Sequence, residues 1–150
     1  MENKVILLVE DNPDDEELTI RSLEKDNIDY QIVVVHDGAE ALDYLFGKGE
    51  YKKRDISIMP VIIMLDIKLP KISGLEVLKQ IRANTDTQLL PVVILTSSDD
   101  ERDLIESYEL GANSYIRKPV NFNEFQKTVQ QLSSYWILLN SAPPIIRKKT

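Results

Sequence analysis

Short unbroken apolar runs alternate along the chain with longer mixed segments. Val61-Ile62-Ile63-Met64-Leu65 contains no polar residue and stops at Asp66. Val5-Ile6-Leu7-Leu8-Val9 behaves the same way and stops at Glu10-Asp11. Pro91-Val92-Val93-Ile94-Leu95, stopping at Thr96, follows the same pattern, and Tyr30-Gln31-Ile32-Val33-Val34-Val35 and the short Asn113-Ser114-Tyr115-Ile116-Arg117, stopping at Lys118-Pro119, read as further strands. Short, branched runs without polar alternation read as strands buried on both faces, the signature of a parallel sheet.

Helical signals fill the intervals. Asn12 reads as an N-cap and Pro13 as a first helical residue, with acids following in the first turn, and the helix runs to about Lys25. Asp37-Gly38 starts a second helix with Ala41, Leu42, Leu45 and Phe46 on one face, ended by Gly47 and Gly49. Ser73 with Glu76 and Ser98 with Glu101 have capping-box spacing. The first opens a helix burying Val77, Leu78 and Ile81; the second opens one with Leu104, Ile105 and Tyr108 inward, stopped by Gly111. Asn121 with Glu124 opens the last helix, whose stripe is Phe122, Phe125, Val129, Leu132 and Trp136. Residues 48–59 show no period and read as a basic surface loop, longer than most connections.

Strand followed by helix, five times over, implies a parallel sheet with helices on both faces. The 150 residues make one domain, with a core over about 4–139 and a tail over 140–150. No run is long enough to span a membrane, and the start turns acidic too early for a signal peptide. Cysteine is absent, so no disulfide or thiolate metal site exists; a reducing, cytoplasmic setting suits that composition. The net charge of -7 makes a poor binder of nucleic-acid backbone. The clusters Lys52-Lys53-Arg54 and Arg147-Lys148-Lys149 are short and read as solvated surface, as does the lone histidine, His36.

In a parallel sheet the carboxyl ends of the strands share one edge, where ligands gather. That edge assembles Glu10, Asp11, Asp66, Thr96 and Lys118. Three clustered carboxylates repel, so without a cation at least one has a raised pKa. Their hard oxygens suit Mg²⁺ or Mn²⁺. The ammonium and hydroxyl suit a phosphoryl group. The residues thus read as a divalent-metal site handling phosphate, with a carboxylate available as nucleophile.

Glu10-Asp11, Asp66 with Pro70 and Gly74, Thr96 and Lys118-Pro119 together resemble the receiver domains of two-component response regulators, over residues 4–139. The resemblance implies a flavodoxin-like, doubly wound five-stranded parallel sheet of order 2-1-3-4-5. It implies that Asp66 is the phosphoacceptor, served by a sensor histidine kinase. It also implies Asp11 and Asp66 as Mg²⁺ ligands, joined by the backbone carbonyl of Lys68, with Glu10 acting through water and Mn²⁺ as a substitute ion. Thr96 and Lys118 would contact the phosphoryl oxygens, Thr96 and Tyr115 would form the switch, and Lys118-Pro119 would be a cis peptide. The loop at 48–59, the run Asp66-Ile67-Lys68-Leu69-Pro70-Lys71 and Tyr135-Trp136 resemble single-domain regulators paired with bacterial phytochromes. Ser97 departs from the alanine or glycine often found in the family at that position.

Three functions compete. The first is a phosphorylation-switched signalling module, not an enzyme beyond limited self-catalysed phosphorylation and dephosphorylation. The chain stops soon after the fifth helix, so its output is expected through protein contacts. The second is a Mg²⁺-dependent phosphohydrolase; those usually carry a second aspartate two residues beyond the nucleophile, where this chain has Lys68. The third is a pseudo-receiver that never sees phosphate, which the intact acidic pair, Asp66 and Lys118 argue against. Tyr135-Trp136-Ile137-Leu138-Leu139 with Ile145-Ile146 carries more apolar surface than one helix face can bury. A homodimer through the fourth helix, fifth strand and fifth helix is the expectation.

Overall fold

The computed structural model describes residues 4–25 and 29–144. The elements follow in strict alternation: β1 (Val5–Val9), α1 (Pro13–Glu24), β2 (Gln31–Val35), α2 (Gly38–Phe46), β3 (Ile62–Leu65), α3 (Gly74–Ala83), β4 (Val92–Thr96), α4 (Glu101–Glu109), β5 (Ser114–Arg117) and α5 (Phe122–Ser133). The strands form one parallel sheet in the order β2-β1-β3-β4-β5, as the sequence implied. Expected features at Ile145-Ile146 and Arg147-Lys148-Lys149 lie outside the described residues.

Each central strand contributes to two cores. Leu7, Val9, Ile63, Leu65 and Ile94 pack with α2 and α3 through Ala41, Leu45, Val77, Leu78 and Ile81. Ile6, Leu8, Ile62, Met64, Val93 and Leu95 pack on the other face with Leu23, Phe125, Val129 and Leu132. This two-sided burial is why β1, β3 and β4 carry unbroken apolar runs. Each fully buried Val, Leu or Ile contributes about 1.5–3 kcal/mol relative to exposure.

Register sets the functional edge. Val9 pairs with Leu65, and Thr96 pairs with Arg117, so Glu10, Asp66, Thr96 and Lys118 emerge together. Asp66 N–H donates to the Val9 carbonyl at 3.2 Å, and Lys118 N–H donates to the Thr96 carbonyl at 2.7 Å. Gly74 explains itself here. It is the first residue of α3, and a Cβ on it would lie 2.1 Å from the Asp66 carbonyl oxygen. Its N–H donates to the Ile67 carbonyl at 2.8 Å, pinning α3 directly beneath Asp66.

Five readings need correction. The cap of α4 is Asp100, whose side chain accepts from Arg102 N–H; Ser98 instead donates to Asp103 Oδ2 at 2.6 Å. With that start, α4 turns Ser107 inward, while Leu104, Ile105 and Tyr108 are exposed. Beyond α5, residues Ser134–Leu139 widen into a π-helical turn, closed by Asn140 N–H donating to the Tyr135 carbonyl. The wider turn shifts the register by one, so Ile137 is buried and Trp136 only half-buried.

The loop at 48–59 is not simply solvated. Arg54 lies under it, with Nε donating to the Tyr44 carbonyl at 2.6 Å, Nη1 donating to the Ile58 carbonyl at 2.7 Å, and the guanidinium over the Tyr44 ring. Lys52 and Lys53 are exposed, as expected of surface residues. Finally, the Lys118–Pro119 peptide is trans, not cis, as are all peptide bonds among the described residues. Trans is the intrinsic preference even before proline, by about 0.5–1 kcal/mol.

Candidate functional site

The site is built on the side chain of Lys118, which is 7 % exposed. Its Nζ donates to Glu10 Oε1 at 2.7 Å, Asp15 Oδ2 at 2.8 Å and Asp66 Oδ2 at 2.9 Å. An ammonium has three N–H donors, and all three are engaged. Glu10 follows β1 directly, Asp66 follows β3, and Lys118 follows β5, so the sheet itself delivers these groups. Asp15 comes from the first turn of α1. Asn12 Oδ1 accepts from the N–H groups of Asp14 and Asp15 at 2.9 and 3.1 Å, which starts the helix immediately after Asp11.

The remaining bonds fix the acids. Glu10 Oε2 accepts from Asn12 N–H, and Asp66 Oδ1 accepts from Lys68 N–H at 3.3 Å. The Lys68 side chain is exposed. Thr96 is fully buried, and its Oγ1 accepts from Ser98 N–H rather than touching an acid. Tyr115 is half-buried and its hydroxyl donates to the Ser98 carbonyl at 3.3 Å, so Thr96 and Tyr115 meet through Ser98. His36 lies apart, its Nε2 2.8 Å from Glu16 Oε1.

Burial and charge act on the same atoms. Loss of water pushes the Glu10 carboxyl up to about 7, against the pull of the Lys118 ammonium and aided by the negative charge of Asp66. One acid of the cluster is therefore raised, as the sequence implied, though burial is a larger cause than repulsion. Burial alone would lower Lys118; hydrogen bonds to Asp15 and Glu10 and the charge of Asp66 overcome it and hold the ammonium above its usual value.

The donor set suits a divalent cation. Glu10, Asp11 and Asp66 each offer an oxygen, all within 4.8 Å of one another, with Asp11 facing solvent. Hard oxygens in that number leave room for water around a small ion. Sequence reasoning singled out Glu10, Asp11, Asp66, Thr96 and Lys118, and the fold brings all five to one edge. It missed Asp15, which looks like any first-turn acid; its one signal is its place four residues after Asp11, on the first turn of a helix that begins at the strand end.

Residues 6–130 match the response regulator receiver domain family. The chain belongs to that family. As a receiver domain it is a component of two-component phosphorelay signalling. It is 42% identical over 134 residues to Response regulator Rcp1 of Synechocystis sp. (strain ATCC 27184 / PCC 6803 / Kazusa), covering 89% of each chain. The solved Mn²⁺-bound form of Rcp1 aligns with a TM-score of 0.87 over 93% of this receiver and 99% of that chain, at 41% identity. The phosphorylated cyanobacterial phytochrome response regulator RcpA aligns with a TM-score of 0.88 at 36% identity, over 95% of this receiver and 99% of that chain. The bacteriophytochrome response regulator AtBRR is 50% identical, with a TM-score of 0.74 over 94% of this receiver and all of that chain (100%). Receiver domains bind a divalent metal, and the acidic cluster fits one. Among the described residues no helix is long and apolar enough to cross a membrane.

The raised Glu10 carboxyl gives a pH signature in metal-free protein. Folding raises this group from 4.5 to about 7, so the folded chain holds its proton more tightly than the unfolded chain. Its stabilising contribution is full below pH 4.5 and is lost as pH rises through 7, by up to roughly 3 kcal/mol. Urea unfolding with divalent ions chelated should show wild type losing stability relative to Glu10→Gln between pH 5 and 8. A difference that stays flat across that range contradicts the assignment.

Proposed function

We propose that this receiver is a phosphorylation switch whose phosphoacceptor is Asp66. The observation that carries the reading is the Lys118 ammonium, 2.9 Å from an Asp66 oxygen at the carboxyl edge of the sheet. A buried carboxylate beside a fixed cation can attack phosphorus and have the resulting charge neutralised on the spot. One Asp66 oxygen forms a bond to phosphorus as the donor's own bond to phosphorus breaks, and the donor departs with the electron pair. From a phosphohistidine the broken bond is P–N; from acetyl phosphate it is P–O. Water attacking phosphorus breaks the P–O bond to Asp66, returns the electron pair to the Asp66 carboxylate and releases inorganic phosphate. That limited self-catalysis is the only enzymatic character we assign.

Asp11, Asp66 and the Lys68 backbone carbonyl would hold Mg²⁺, with Glu10 acting through water. The ion would supply positive charge to offset the negative charge of a phosphoryl group. Lys118 and the Thr96 hydroxyl serve the remaining oxygens. Movement of Thr96 would reach Tyr115 through Ser98, carrying the signal to α4, β5 and α5. The similarity to phytochrome response regulators supports a phytochrome-type histidine kinase as the donor, acting on a cytoplasmic, single-domain receiver.

Leu104, Ile105 and Tyr108 on α4, with Phe122, Leu138 and Leu139 on and beyond α5, are exposed apolar residues. Such surface supports a twofold homodimer through α4, β5 and α5, tightened by phosphorylation.

Acetyl phosphate with Mg²⁺ should add a single phosphoryl group, on Asp66. Intact-mass and peptide mass spectrometry should find it in wild type and not in Asp66→Asn, whose thermal midpoint should stay close to wild type. A label persisting in Asp66→Asn places the nucleophile elsewhere. For the output, light scattering with Mg²⁺ should show a heavier species with beryllofluoride than without. A monomer at high concentration in both conditions removes the dimer from the account.

A further inference from the structure

We infer that Asp15 is a positioning residue that holds the Lys118 ammonium in the unphosphorylated receiver and hands it over when phosphate arrives. The inference rests on Asp66 being the phosphoacceptor.

Lys118 has three N–H groups and three carboxylate acceptors, at 2.7, 2.8 and 2.9 Å. It cannot also donate to a phosphoryl oxygen unless one of these bonds opens. The three acceptors are not equivalent. Glu10 is 2 % exposed and Asp66 8 %, and both belong to the acidic cluster that fits a divalent cation. Asp15 is outside that cluster and its side chain is 32 % exposed. Freed from Lys118 in the ion-free site, a buried carboxylate loses its partner with no water to replace it, whereas Asp15 turns into solvent. The Asp15 bond is therefore the one that costs least to open.

The backbone of Asp15 stays fixed through the exchange. Its N–H donates to Asn12 Oδ1 at 3.1 Å, and its carbonyl accepts from Thr19 Oγ1 at 2.7 Å. Only side-chain rotation is needed, so the exchange demands no change in α1. In the resting state Asp15 aims the ammonium at the site. It also competes with any anion that needs the same donor, which biases the receiver toward its unphosphorylated form. A residue that interacts with one state and not the other shifts the equilibrium by that difference.

Removing the carboxylate should favour the phosphoryl-bound state. At saturating Mg²⁺, Asp15→Asn should bind beryllofluoride about three- to tenfold more tightly than wild type, the range expected for one charged hydrogen bond that is partly open to solvent. Labelling by sub-saturating acetyl phosphate should speed up by a similar factor. Asp15→Glu keeps a carboxylate within reach and should stay within about twofold of wild type. In protein labelled with ¹⁵N-lysine, the Lys118 ammonium resonance should shift in Asp15→Asn before any anion is added, a response that a merely structural residue would not produce. Asp15→Asn with unchanged or weaker beryllofluoride affinity, or with an unmoved Lys118 signal, overturns the inference. Wild type that takes neither beryllofluoride nor acetyl phosphate overturns the phosphoacceptor reading itself, and is distinguished by failing before Asp15 is touched.

Discussion

The ammonium of Lys118 holds the carboxyl edge of this sheet together. Three acids, Glu10, Asp15 and Asp66, converge on it from the ends of β1 and β3 and the first turn of α1, and without it their charges would repel one another. Removing one partner of a buried ion pair typically costs about 3–5 kcal/mol, because the other charge stays buried and unpaired. The same cation lies where a divalent ion and a phosphoryl group would need those acids. Its position holds the three carboxylates together in the absence of any other cation.

The rest of the fold serves that arrangement. Parallel pairing of β1 with β3 puts Glu10 and Asp66 in adjacent register, and the β4–β5 pair carries Lys118 one residue past Thr96. Gly74 lets α3 approach the Asp66 carbonyl more closely than any side chain would permit. Asn12 starts α1 early enough for Asp15 to reach back to the edge.

Much of this was legible in residue order alone. Unbroken apolar runs ending in polar residues specify a parallel sheet with a chemical edge, and the five residues at strand ends needed no tertiary information to be found. What escaped was whatever depends on side-chain direction. Asp15 and Arg54 look like surface charges until the fold shows what lies within their reach. On α4 the apolar residues suggested the inward face, yet the short side chain of Ser107 is what packs against the sheet, leaving Leu104, Ile105 and Tyr108 exposed. The π-helical turn at Ser134–Leu139 moved burial from Trp136 to Ile137, a one-residue shift that a fixed helical period cannot anticipate. The trans Lys118–Pro119 bond departs from an expectation that came from resemblance, not from the residues.

One buried ammonium and one divalent cation would share the same carboxylates. Calorimetric titration of Mg²⁺ into wild type and Lys118→Ala tests it directly. If the ammonium and the ion compete for Glu10 and Asp66, removing the ammonium should tighten Mg²⁺ binding by about fivefold or more, since even a partly screened charge at 3 Å is worth on the order of 1 kcal/mol. Equal or weaker Mg²⁺ affinity in Lys118→Ala, with the fold intact, would contradict the account.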